Sequence, residues 1–285
     1  MKRYYPLIAI LLAALAVPAM AQKRAFTIED LYKIRSVADL HVSPDGKSVV
    51  YVLVTSDLPR AKQSLHIWMM QTDGTGATQM TQGDKNESSP VFSPDGKWIA
   101  FVSDRDSSDN LYVMPVGGGE ARKLTDISTG VSSPLWSPDG KSIAFSTDVY
   151  PECGADDACN KKITERWQDG PLKAHMADHL LYRHWTQWKD GTRSHIFLAD
   201  VATGGVRDMT PGDFDSPTFE LAAPLAYAFS PDGKELAYVS DHDKHPETST
   251  NKDIWVVSTS AASKPESRDI TASNPAYDGT PRYSP

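Results

Sequence analysis

The sequence predicts an all-β chain: a partial β-propeller of four-stranded antiparallel blades, about four of them, followed by the first strand of another. Three observations predict it. The string S-P-D-G-K occurs four times, at residues 43–47, 93–97, 137–141 and 230–234, and the chain stops two residues into a fifth copy, at Ser284-Pro285. Each copy is followed by the same order of β-rich runs and polar or Gly-rich gaps. The intervals between copies, about 50, 44, 93 and 54 residues, compare with about 40 to 50 for one four-stranded blade.

In chain order, residues 1–21 read as a signal peptide: Lys2 and Arg3 precede an apolar stretch at 7–17, and Ala19-Met20-Ala21 has the small-x-small form of a cleavage site. The mature chain would begin at Gln22 and be exported, to the periplasm or the exterior. No other stretch approaches the roughly 18 apolar residues of a membrane span, and no Cys stands near the cleavage site to carry a lipid. A leading helix is expected over 26–33, with Thr27 and Asp30 in capping-box positions, running through 37–42 into the first repeat.

Within each repeat, Pro presets φ for the first corner of a type I turn, Asp suits the second, and Gly takes the left-handed position that follows. The turn therefore joins the first and second strands of a blade. In the second repeat the later strands are W-I-A-F-V-S at 98–103, L-Y-V-M-P-V at 111–116 and A-R-K-L-T at 121–125. Residues 67–70, 196–200 and 254–258 are the other third strands, and Met80-Thr81, Met209-Thr210 and Ile270-Thr271 close the fourth. The long third interval holds one third-strand and one fourth-strand match, so it reads as a single blade with an insertion at about 150–193. Residues 279–284 read as the first strand of a further blade. One blade cannot bury both faces of its sheet and a ring leaves no bare end, so the array is expected to be cut before closure.

The net charge is −8, and about −10 once Lys2 and Arg3 are removed. Such a surface repels phosphate backbones and argues against a nucleic-acid partner. Forty per cent hydrophobic residues are ordinary for a folded β-protein. The two cysteines, Cys153 and Cys159, stand in a polar loop at the root of the insertion, where an oxidising compartment favours a small disulfide staple. Redox chemistry or metal binding is disfavoured, because the spacing is not C-x-x-C and no second pair exists.

The insertion gathers unusual side chains: His175, Asp178, His179, His184, Trp185 and Trp188. His175 and His179 have zinc-ligand spacing, yet Met176 stands where the metalloprotease pattern requires Glu, and no metal site is assigned. Residues 180–188, the D-G turn at 190–191 and residues 193–198 read as one hairpin. Its exposed Trp and Arg suit recognition of a peptide or a neighbouring domain, and equally suit packing of the insertion onto its blade. Arg183, His184, Trp185 and Trp188 are the candidate substrate-side residues on chemistry alone. Asp104, Asp106 and Asp109 lack the Gly and Glu of a calcium loop, and the loop holding Asp241, His242, Asp243 and His245 reads as a connection between strands. There is no G-x-S-x-G elbow and no phosphate-binding glycine loop, so no catalytic residue and no cofactor is assigned.

Taken together, the leading helix, the Cys153/Cys159 loop and the string R-H-W-T-Q-W-K-D-G-T-R-S-H-I-F at 183–197 resemble the N-terminal propeller of secreted prolyl-oligopeptidase-family serine peptidases. The likeness is greatest to the bacterial dipeptidyl peptidase V and acylaminoacyl-peptidase-like branch. It covers essentially the whole mature chain and stops before the family's α/β-hydrolase domain, which would carry the serine, aspartate and histidine. The resemblance implies a propeller that admits short peptides to a hydrolase partner domain and excludes folded proteins, with this chain alone inactive. It also implies an acidic or polar propeller group that holds the substrate's amino terminus. The repeat string by itself is shared with periplasmic TolB-type propellers, so a binding propeller without enzymatic activity is the alternative.

Overall fold

The repeated turns build four four-stranded antiparallel sheets. The structure is a computed structural model that describes residues 24–171, 173–177, 180, 182–219, 225–260 and 265–284. The proposed signal peptide lies outside the described residues. Blade 1 comprises β1 (Ser36–Val42), β2 (Ser48–Asp57), β3 (Lys62–Gln71) and β4 (Thr78–Gln79). Blade 2 comprises β5 (Glu87–Phe92), β6 (Trp98–Ser103), β7 (Asn110–Pro115) and β8 (Arg122–Lys123). Blade 3 is split in sequence: β9 (Ser132–Trp136) and β10 (Ser142–Val149) precede an insertion made of α2 (Asp157–Asp169) and the short ribbon β11 (Arg183–His184) and β12 (Gln187–Trp188). Its remaining strands are β13 (Arg193–Asp200) and β14 (Val206–Asp208). Blade 4 comprises β15 (Tyr227–Phe229), β16 (Glu235–Ser240), β17 (Asp253–Ser258) and β18 (Ser267–Asp269).

Every S-P-D-G-K turn closes in the same way. In the first, the Ser43 hydroxyl donates to Asp45 Oδ1 at 2.7 Å, the Lys47 N–H donates to that same oxygen at 3.1 Å, and Ser43 Oγ accepts the Ser48 N–H at 2.9 Å. The other three repeat this network within 0.1 Å. The glycines adopt φ between 68° and 70°, a left-handed conformation that a Cβ would strain. Successive turns also nest: a Cβ at Gly96, Gly140 or Gly233 would lie 3.8, 3.9 or 3.4 Å from the Pro Cδ of the preceding repeat.

Strand alternation lets the second and third blades pack a core against each face. In β6, Ile99 and Phe101 pack toward blade 1, while Ala100 and Val102 pack toward blade 3. Separate cores thus fill the spaces between blades 1 and 2, 2 and 3, and 3 and 4. Left-handed residues Asp39, Ser89 and Ser133 (φ 49°, 51° and 56°) mark a bulge in the first strand of three blades, four residues before each turn serine.

Four expectations need correction in detail. The leading helix, α1, is a single turn at Ile28–Leu31 with no buried residue. The Asp30 carboxylate accepts the Thr27 N–H and pairs with Arg24, but nothing apolar holds a second turn. The fourth strands end before the Met-Thr and Ile-Thr pairs, because there the threonine hydroxyl takes the place of one backbone acceptor, while the N–H of the residue before it still donates to the third strand. The Oγ1 atoms of Thr81, Thr125, Thr210 and Thr271 accept the N–H of Ile67, Leu111, Ile196 and Ile254 at 2.9–3.0 Å. Residues 180–188 do not pair with 193–198, since β10 and β14 occupy both edges of β13. The Asp190-Gly191 turn instead leads from the small ribbon into β13. Residues 279–284 form no strand; they lie along blade 4, where the Tyr283 hydroxyl donates to Glu235 Oε2 at 3.3 Å. Among the described residues no helix is long and apolar enough to cross a membrane.

Candidate functional site

At the end of blade 3 away from its S-P-D-G-K turn, β9, β10 and β13 border the insertion and blade 4. A cleft of about 270 Å³ opens there. Its polar floor is made by strand ends: Ser146 Oγ lies 2.9 Å from Ser194 Oγ, and the Ser194 N–H donates to Asp215 Oδ1 at 2.9 Å. Lys189 Nζ pairs with that same carboxylate at 2.6 Å, which neutralises both charges at the cleft edge. Asp148, opposite Ser194 in the β10–β13 register, is exposed and lines the cleft without a hydrogen-bond partner among the described residues. The buried Thr218 Oγ1 at the same cleft also lacks one. Tyr227, whose hydroxyl donates to the Ser133 carbonyl, forms part of the wall, and burial raises its phenol well above the usual range.

The insertion supplies the aromatic side. Arg183 and Trp188 are cross-strand partners in the β11–β12 ribbon, with the guanidinium 5.2 Å from the indole centre. His175 stacks on that indole at 4.1 Å, and its Nδ1 lies 2.7 Å from Asp190 Oδ1. Trp188 lines the cleft; Arg183 lies beside it, lining a shallower depression with Tyr182 and Glu247. Trp185 stands at the ribbon's tip, 73% exposed and in the left-handed region (φ 44°). The His184 backbone is in β11, while its side chain, Asp178 and His179 lie outside the described residues. Cys153 and Cys159 are joined by a disulfide at the root of α2.

Other polar clusters have structural roles. His195 is fully buried, with Nδ1 2.7 Å from Asp208 Oδ2 and Nε2 2.9 Å from the Gly212 carbonyl. Both nitrogens are occupied, by a carboxylate and a backbone carbonyl, and among the described residues no hydroxyl is hydrogen-bonded to them, as a nucleophile–base pair would require. His66, Asn110 and Asp253 occupy the same place in the other blades, each directly before the residue bonded by the threonine. Asp104 accepts the Asn86 N–H and Asp106 accepts the Tyr112 hydroxyl. His242 is sandwiched between Phe214 and Trp255 at 3.7 and 3.9 Å. Among the described residues no three His, Cys, Asp or Glu side chains are placed to hold a metal ion.

The cleft can therefore bind, through a carboxylate without a partner among the described residues, hydroxyls and aromatic side chains. Asp148, Thr218, Lys189 and Tyr227 were not among the residues singled out in the sequence. The available signal was the S-T-D interruption of the apolar run in β10, immediately before the insertion.

Comparison with known proteins agrees with this architecture. Residues 64–154 match the family described as the Tricorn protease N-terminal beta propeller domain. Dipeptidyl-peptidase 5 of Porphyromonas gingivalis is 30% identical over 274 residues, covering 91% of this chain and 37% of that protein. An uncharacterized peptidase of Bacillus subtilis is 31% identical over 238 residues, covering 82% of this chain and 34% of that protein. The chain thus spans little more than a third of these relatives. Acylaminoacyl peptidase of Pyrococcus horikoshii superposes with a TM-score of 0.59 at 16% identity, over 84% of this chain and 33% of that one. The chain is a β-propeller domain distantly related to dipeptidyl-peptidase 5, in a fold that part of acylaminoacyl peptidase shares.

Proposed function

We propose that this chain is the substrate-handling propeller of an exported serine peptidase that releases dipeptides or short N-terminal units from oligopeptides. A hydrolase domain outside these residues supplies the catalytic serine, aspartate and histidine. The observation that carries this reading is the similarity to dipeptidyl-peptidase 5, which runs through nine-tenths of this chain. The cleft chemistry supports it: Asp148 offers a carboxylate to a peptide ammonium, and Trp188, which lines the cleft, offers indole surface to a side chain. The Arg183 guanidinium lies over the Trp188 ring.

The test is release of dipeptides from chromogenic substrates by the full-length gene product. Asp148→Asn and Trp188→Ala are expected to lower kcat/KM by about tenfold or more, mainly through KM, since each removes a contact of about 1.4 kcal/mol or more. Dipeptide release by residues 22–285 alone, or none by the full-length product, would overturn the reading. N-terminal sequencing of the exported protein is expected to begin at Gln22.

A further inference from the structure

Helix α2 is tied to blade 3 by polar and covalent links, without an apolar seat. Its N-cap Asp156 accepts the Cys159 N–H at 3.1 Å, and Asp157 Oδ1 accepts both the N–H and the hydroxyl of Ser128 at 2.8 Å. Asn160, the buried residue of the helix, accepts the Tyr150 N–H and donates to the Gly154 carbonyl, each at 2.9 Å. The Cys153–Cys159 bond closes the same loop.

A 13-residue helix on a folded domain ordinarily buries a stripe of apolar side chains against its neighbour. In α2 the corresponding stripe is Ile163, Arg166 and Trp167, continued by Gly170, spaced as residues that share one helical face. It faces a cavity of about 610 Å³, bounded on the far side by Tyr150 and Glu152 after β10 and by the Asp190-Gly191 turn before β13. That volume lies in the range of small-molecule sites. The Arg166 guanidinium and the Glu152 carboxylate have no ion-pair or hydrogen-bond partner among the described residues, whereas Asp190 is engaged by His175. Among the described residues the cavity therefore carries an unpaired cation, an unpaired anion and an apolar wall between two elements. It shares no lining residue with the blade 3–blade 4 cleft.

The geometry points to a second binding site in this cavity, for a zwitterionic amino acid or dipeptide with a large apolar side chain. The ligand carboxylate meets Arg166, its ammonium meets Glu152, and its side chain lies along Ile163 and Trp167. The assignment is independent of the peptidase reading, because it uses neither the cleft nor a catalytic domain.

Isothermal titration calorimetry of the full chain with leucyl-leucine tests it, with the doubly blocked N-acetyl-leucyl-leucine amide as the neutral control. Leucyl-leucine is expected to bind with a Kd of about 1 mM or tighter. Arg166→Gln and Glu152→Gln should each weaken it by about tenfold, and the blocked compound should not bind. Both side chains are exposed, so the variants keep the fold, checked by an unchanged far-ultraviolet spectrum. Asp148→Asn, in the other cleft, should leave the affinity unchanged. No binding up to about 10 mM, equal binding of the blocked compound, or loss of binding on Asp148→Asn would each overturn the assignment.

Discussion

The aspartates of the S-P-D-G-K turns, Asp45, Asp95, Asp139 and Asp232, are all held below the ordinary carboxylate range, first by the serine hydroxyl and then by the lysine N–H. For Asp232 the value falls to about 2. A carboxyl whose pKa is lower folded than unfolded contributes stability above the unfolded value, and loses it as pH falls through the folded one. These turns are thus expected to weaken between about pH 4 and pH 2. Asp241, Asp253 and Asp109 are raised by burial and act in the opposite sense, so the turn effect is read from a variant and not from the whole chain. Asp232→Asn is expected to lower the urea midpoint near neutral pH and to match the parent protein near pH 2. A difference that persists unchanged at acid pH would show that charge is irrelevant to the turn. The repeated turn was legible from four copies of one string, because its partners lie within five residues of one another. Asp148 was not, because its place beside Thr218 and Trp188 depends on three distant segments meeting.

At the scale of elements, the threonine that closes each blade works as a ladder rung. Its hydroxyl takes an N–H of the third strand that would otherwise be buried and unpaired. Thr210→Val keeps the shape and removes the acceptor, so it is expected to cost about 1–3 kcal/mol in denaturant unfolding, with Thr210→Ser largely restoring it. A neutral Thr210→Val would mean that the Ile196 N–H finds another acceptor. The Met-Thr and Ile-Thr pairs were visible as blade-closing marks. Their bonding was not, since it requires the register of two strands. The expected hairpin at 180–198 failed for a related reason: a D-G turn signals reversal, but strand pairing depends on free edges, and β13 has none. In the insertion, Asn160 spans the same loop as the disulfide. Reduction alone is therefore expected to leave α2 folded, and reduction of Asn160→Ala to release it, as followed by amide hydrogen exchange of residues 157–169. Release of α2 by reduction alone would show that the Asn160 bonds carry little.

Across the whole molecule, equivalent first-strand positions have different surroundings. Phe92 and Trp136 are 4% and 7% exposed against the preceding blades, while Val42 is 47% and Leu40 59% exposed on blade 1. Phe26, Ile28, Leu31, Ile34 and Val37, in the segment leading into and beginning β1, are exposed as well. An exposed apolar sheet face of this kind favours association. The chain by itself is expected to self-associate with rising concentration in sedimentation velocity, and the double variant Leu40→Ser, Val42→Ser to do so less. A monomer at every concentration would refute this. Phe101, fully buried between blades 1 and 2, is expected to cost about 3–5 kcal/mol on replacement by Ala.

The repeats, the blade order and the place of the insertion were readable in the chain because turn chemistry and strand alternation are local, and four copies repeat them. Which carboxylate remains unpaired, which histidine is buried in a structural bond, and where cavities open were decided by packing. Those properties depend on which neighbours fill the space around a side chain, and such neighbours come from other blades and from the insertion folded back upon them.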